Sequence, residues 1–409
     1  MKKIVIFIVT LVITSMIIMF SNSSKQELEH VSLDNNLDNL VGVYLENEDG
    51  EYETSSDIPQ KGSGYQFNKA VCESDVEAEW NEESWSLIVP NNVVNFKCNL
   101  YFNKQSTVKD LILANSKVNE GAPDFSKTAT TDEGVYKTQD DWGDSYYFRG
   151  AVVNNWIKFA GFYWRIIRIN GDGSIRLIYN GTSTVTTGES TQISTSAFNS
   201  TYNNNMYVGY MYTSGQVHGL GTNSTIKGVL DSWYTTNIAN KGYGDQISKE
   251  AGFCGDREPS TSSSTSNGLG GTGTTTTYYG SHIRVVNNRN PDLKCKNKED
   301  LYTVSGSSKG NMVMTNPVGL ITADEVSMAG GVWATINTSY YLYNNATYWT
   351  TAPSYFNSSG YAGVFCVRSN GYLGWNNVNS MSGVRPVINI SSNATVKSGN
   401  GTIATPYEI

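Results

Sequence analysis

Apolar and polar residues alternate over short runs along most of the chain beyond residue 40, and Gly, Asn, Asp and Pro separate the runs. That pattern predicts the strands of half-buried sheets. Runs at 41–45, 64–67, 85–89 and 96–102 predict a small β-rich module over 41–103. The strongest local signal is a hairpin at 162–179. Its arms flank Asn170-Gly171-Asp172-Gly173, and both dipeptides tolerate positive φ at a tight turn. Strict alternation along the first arm puts Arg165 and Arg168 on opposite faces. Helical periodicity is rarer. Ile226, Val229, Leu230 and Trp233 fall on one helical face within 225–240. Residues 108–114 predict a short helix. Thr322-Ala323-Asp324-Glu325 has the spacing of a capping box, with Gly330-Gly331 as the stop. The expected fold class is α+β.

The N-terminus changes the setting. Met1-Lys2-Lys3 precedes an uncharged, mostly apolar run at 4–20. A positive start followed by an apolar segment is an export signal, and this run suits either a signal peptide or a membrane anchor over 1–22. Residues 23–40 read as a polar spacer, 104–145 as a linker, and 146–409 as one large mixed domain. Within that domain, 259–277 is a Ser/Thr/Gly-rich flexible loop. The expected location is extracellular, with the chain either secreted or held at the cell surface by a membrane segment at 4–20.

Only 16% of the residues are charged, against 39% hydrophobic, and the net charge is −8. Polarity comes from Asn, Ser, Thr, Gly and 26 Tyr. A nucleic-acid partner is excluded, because nothing here would neutralise phosphates. The acid concentrates at 44–85, with 12 Asp/Glu against Lys61 and Lys69. No calcium-loop spacing accompanies it, so a solvated acidic face is expected. Export permits disulfides. Of five cysteines, Cys72 with Cys98 and Cys254 with Cys295 form pairs close in sequence, and Cys366 is left as a buried free thiol.

Candidate chemistry is sparse. His30, His218 and His282 sit in no nucleophile–histidine signature, and no zincin, P-loop or dinucleotide motif appears. Asp231, Asp324 and Glu325 are the carboxylates in ordered-looking context, and the last two suit a helix N-terminus. Trp164, Trp233 and Arg385 read as internal. What stands out is a region of Tyr, Trp, Asn, Ser and Gly at 340–390, a composition that builds recognition surfaces. Tyr355, Phe356, Tyr361, Tyr372 and Trp375, with Asn376 and Asn377, are the candidate ligand-binding residues. The expected ligand is a glycan or a protein at the cell surface. No enzyme activity, metal or cofactor is expected. The alternatives are a surface enzyme, either a glycosidase or an oxidase, and a purely structural subunit.

Several motifs carry a resemblance over 145–409. They are Phe162-Tyr163-Trp164-Arg165, Asn170-Gly171-Asp172-Gly173-Ser174, Phe253-Cys254-Gly255-Asp256-Arg257, Tyr348-Trp349-Thr350, Ala352-Pro353-Ser354 and Gly383-Val384-Arg385-Pro386. This half resembles a type of bacterial surface protein with no established activity. Its Trp, Pro-Ser and Gly-Val-Arg-Pro order also looks like the C-type-lectin-like fold of the sulfatase-modifying-factor branch. The resemblance implies a C-type-lectin-like domain whose long loops form a ligand surface. The paired active-site cysteines of formylglycine-generating enzymes have only Cys366 to match them here.

Overall fold

A computed structural model describes residues 29–30, 40–47, 49–61, 63–73, 78–89, 97–185, 187–260 and 276–409. The segment 1–22, read as signal or anchor, lies outside the described residues, as does most of the 259–277 loop. Among the described residues, no helix is long and apolar enough to cross a membrane. The chain is mixed α+β, mostly sheet, and divides into two compact units, Met1–Gln105 and Ser106–Ile409.

In the first unit, β2 (Leu40–Glu46), β3 (Tyr52–Ser55), β4 (Tyr65–Cys72) and β7 (Cys98–Lys104) form a sheet in the order β3-β2-β7-β4. A second sheet joins β1 (Glu29–His30), β6 (Ser86–Val89) and β5 (Glu79–Asn81), so part of the expected spacer is strand. Alternate residues of β7, namely Cys98, Leu100 and Phe102, are buried with Val43, Leu87 and Val89. Phe67 stacks on Trp80 at 4.6 Å against this core. Glu51, Glu53, Asp57, Glu73, Glu79, Glu82 and Glu83 are exposed, which keeps like charges in water. Cys72 and Cys98 are bonded and directly opposed on β4 and β7.

The second unit starts earlier than the sequence pattern suggests. The stretch 104–145, read as a linker, holds α1 (Val108–Asn115), β8 (Val118–Asn119), β9 (Asp132–Asp140) and the start of β10 (Gly143–Gly150). β9 and β10 form a tight hairpin, paired from Asp140↔Gly143 to Asp132↔Gly150. Lys137 and Gln139 share the face of fully buried Val135, so β9 shows no apolar alternation.

An eight-stranded sheet runs β24 (Val387–Ile390), β13 (Ile175–Tyr179), β12 (Phe162–Ile169), β10, β9, β8. β11 (Trp156–Phe159) pairs with β12 and with β25 (Tyr407–Glu408). The β12-β13 hairpin forms where its turn residues place it, but with a bulge. Arg165 opposes Ile178, whereas Arg168 opposes Arg176. The extra residue, Ile167, shifts the alternation by one, so Arg165 and Arg168 share a face rather than lying on opposite ones.

That face meets α3 (Ala323–Ala329), every residue of which is buried. Thr322 and Glu325 make the expected capping box. The Glu325 carboxylate also takes ion pairs from Arg168 Nε at 3.0 Å and Arg176 Nε at 2.6 Å. Burial pushes this carboxyl up, but Arg176 and Arg168 outweigh burial and hold it below the usual carboxylate range. Arg168 Nη1 continues to Asp140 at 2.5 Å.

The second sheet runs β14 (Ser194–Ser196), β23 (Ser382–Val384), β20 (Tyr348–Phe356), β21 (Ala362–Val367), β22 (Leu373–Asn377), with β18 (Thr277–Tyr278) beside β20. Two short pairs, β15 (Met211–Tyr212) with β16 (Thr222–Asn223) and β17 (Phe253–Cys254) with β19 (Leu301–Tyr302), complete the strands. α2 (Thr225–Asn237) packs Trp233 edge-on against Trp164 and Tyr179. The Cys254–Cys295 bond forms as expected, and Cys366 is a buried free thiol.

Arg385, read as an internal tie, donates from Nε to Tyr179 O, from Nη1 to Leu342 O and from Nη2 to Asn180 Oδ1. It is 1% exposed. Arg385→Lys keeps the charge but cannot span three acceptors. It should lower stability by about 2–4 kcal/mol, because buried acceptors lose charged donors. A urea midpoint within error of wild type would contradict this role.

Candidate functional site

The expected ligand residues lie on or beside β20, β21 and β22 of the second sheet, and pairing register decides which of them meet. Tyr278 on β18 opposes Tyr355 on β20, Tyr355 opposes Gly363 on β21, and Gly363 opposes Asn377 on β22. Gly363 leaves a gap in this row. A Cβ there would lie 2.5 Å from Tyr355 Cζ, so the tyrosine ring fills the space a side chain would take. Its hydroxyl thereby reaches Asn377 and donates to Oδ1 at 3.0 Å. Trp375 lies on the same face of β22, two residues away. Its ring stands nearly perpendicular to Tyr355, with centroids 4.7 Å apart. Tyr355 is 5% exposed and Trp375 38%. At the other end of the row, Tyr278 packs on His282 at 4.3 Å. Phe365 opposes Trp375 across β21-β22 and meets Trp333 and His282 at 5.9 Å. The result is an aromatic strip crossing four strands.

The side chains of the strip itself carry no formal charge. Burial holds the His282 imidazole down to about 4, so it is uncharged near neutrality, and its Nδ1 lies 3.1 Å from Ser354 Oγ. Burial, with Tyr278 nearby, pushes the Tyr355 phenol well above its ordinary range. No Asp or Glu occurs between Val326 and Tyr407.

Other expected residues go elsewhere. Tyr372 and Asn376 project to the opposite face of the β22 segment from Trp375. Arg368 lies along Gly374 beside Tyr372, and its Nη2 donates to Trp375 O at 2.7 Å. Asn376 Nδ2 donates to Ser382 Oγ. Tyr361 stacks on Tyr202 at 4.8 Å, away from the row. Phe356 is fully buried in the core, and the 355–361 segment expected as a loop begins as strand. Both faces of β20 are covered along its whole length, so alternation there leaves no open side. Tyr278 and Trp333 escaped the sequence reading, and His282 carried no signature linking it to them, because only contacts between segments far apart in the chain bring the three to the row.

A second cluster lies beside the Cys254–Cys295 bond. Arg284 donates Nε and Nη2 to the two oxygens of Asp324 at 2.9 and 2.8 Å, and Nη2 also to Asp256 at 2.5 Å. Asp256 has φ +50°, a left-handed conformation. Burial, against the pull of Arg284 and with help from Asp324, raises its carboxyl to about 6. Arg284 belongs to a π-helical stretch, Ile283–Asn288. The cleft bounded by Asp141, Arg168, Arg176, Asp256, Arg284 and Asp324 encloses about 20 Å³, room for about one water. Nearby, buried Asp300 accepts from Arg257 Nε at 2.6 Å and faces His218 Nδ1 at 3.0 Å. The Asp256-Arg257 dipeptide was visible as part of a motif, but its partners lie tens of residues away. Among the described residues, no group of three His, Cys, Asp or Glu is placed to hold a metal ion.

Compared with protein-family models, curated proteins and solved structures, the chain matches none.

The raised Asp256 carboxyl sets a pH dependence. A folded-state value above the ordinary 3.8 means that the native state binds this proton more tightly than the unfolded chain. Its contribution to stability is fully present below about pH 4 and is lost as pH rises through about 6. In Asp256→Asn that slope disappears. The stability difference between wild type and variant should change by about 3 kcal/mol between pH 4 and pH 7, following the size of the shift. Parallel urea-midpoint curves for the two proteins across that range would refute the assignment.

Proposed function

We propose that the chain is an exported surface protein whose second unit binds a glycan or protein ligand through the strip centred on Trp375. The observation that carries this reading is the state of that indole. It is 38% exposed on a β-strand, braced edge-on by Tyr355, beside an amide already fixed by the Tyr355 hydroxyl. Rigid aromatic area with a fixed polar neighbour is what a binding surface needs, since little entropy is lost on contact. The two disulfides support maturation in an oxidising, extracellular compartment. A C-type-lectin-like fold for 146–409 belongs to the same proposal.

The enzyme alternatives have weaker support. The carboxylate cluster at Asp256 and Asp324 sits on a cleft of about one water's volume, too small for a sugar. Burial pushes the Cys366 thiol up to about 12, which makes it a poor nucleophile. Trp375→Ala should weaken binding by roughly tenfold or more, with unfolding free energy changed by no more than about 0.5 kcal/mol, as for an exposed site. The assay is retention of the purified exported chain on immobilised glycans and extracellular proteins. Undiminished retention of the variant on every surface that holds wild type would remove the strip from the site.

A further inference from the structure

Resting on that reading, we infer that the ligand of the strip is a neutral glycan, held by stacking on Trp375 and by the Asn377 amide without a bridging metal ion. The chemistry of the row fixes what can sit on it. Asn377 Oδ1 accepts the Tyr355 hydroxyl, which orients the carboxamide. Its Nδ2 has no partner among the described residues, so two N–H donors remain beside an exposed indole. A pyranose ring offers the matching pair. Its C–H face covers the indole, and a hydroxyl or ring oxygen at its rim accepts from Nδ2.

Charge disfavours acidic sugars. A carboxylate over this strip would be desolvated against Trp375 and Tyr355, and the one cation whose charge reaches the row, Arg368, is already engaged by the Trp375 carbonyl. Arg368 is the nearest formal charge in the segment. It projects from the opposite face of the strands and holds the Trp375 carbonyl. A calcium-bridged sugar is disfavoured as well, because the residues of the row bring no carboxylate to a cation and no Asp or Glu occurs from 326 to 407.

Backbone accounting argues against a peptide added as a further strand. Leu373 donates to Val332 O and accepts from Ala334 N, and the Trp375 carbonyl accepts from Arg368. The outward groups that strand addition would use are therefore largely occupied. A sugar needs none of them.

The test titrates the purified exported chain with neutral hexose and N-acetylhexosamine oligosaccharides, uronic-acid and sialylated oligosaccharides, and an immobilised panel of extracellular proteins. Tryptophan fluorescence and calorimetry are read with and without EDTA. The expected result is fluorescence-detected binding of a neutral oligosaccharide, unchanged by EDTA. Trp375→Ala should weaken it by roughly tenfold or more, the loss of one aromatic anchor. Tyr355→Phe leaves the ring in place but frees the amide, so binding should fall about threefold, the scale of one modest hydrogen bond. Trp375-dependent binding confined to acidic sugars or proteins, or abolished by EDTA, would overturn this inference and leave the strip as a binding surface. Absence of any Trp375-dependent binding would overturn both.

Discussion

Glu325 is the side chain on which the second unit turns. A single buried carboxylate accepts the cap of α3 and pairs with two arginines from the β12-β13 hairpin. Removing a carboxylate from water is expensive, and only close cations with good geometry offset the cost. The β12 bulge supplies that geometry. Without the extra residue, Arg168 would face away from α3, and Arg176 alone would meet the acid. The same alignment brings Arg168 to Asp140 at the end of β9, which ties the β9-β10 hairpin to the sheet centre. One local irregularity in a strand thus connects two hairpins and a fully buried helix.

This arrangement explains which parts of the fold can be read from the sequence. The β12-β13 turn, the Thr322–Glu325 cap and the Trp233 helix depend on residues within a few positions of each other, so their patterns survive in the chain. The bulge has no such pattern, because Phe162–Ile169 reads as continuous alternation and the extra residue appears only against its partner. β9 is missed for a related reason. Its Lys137 and Gln139 share the face of buried Val135 and its Glu133 accepts from buried Arg149, so no apolar alternation marks the strand and in isolation it resembles a linker. Both disulfides are legible because each joins cysteines near in sequence.

The candidate site is legible only in part. Composition singles out the aromatic, amide-rich region, and Trp375 and Asn377 belong to it. Which aromatics share a face depends on the register of β20, β21 and β22 and on the distant β18 beside them. Phe356 and Tyr355 are adjacent in the chain, yet one is sealed in the core while the other bridges to Asn377. Gly363 is the least conspicuous member of the row and one of the most consequential. Any side chain there would displace the Tyr355 ring and with it the hydroxyl that orients the amide.

The two clusters of the second unit differ in what they leave unmet. Around Asp256, guanidinium and carboxylate groups face each other at hydrogen-bond distance, in a space too small for more than a water. Such a network is stabilised by its own closure and has little to offer a ligand. Along the aromatic strip the polar groups point one way. The Tyr355 hydroxyl satisfies Asn377 Oδ1, Arg368 satisfies the Trp375 carbonyl from the far side, and Ser382 takes the Asn376 amide. These bonds secure the framework of the strand while the Asn377 donors and the indole remain open. Perturbed titration is a useful pointer to function, but here it marks an interior framework, and the neutral strip is the part of the surface with donors still to be met.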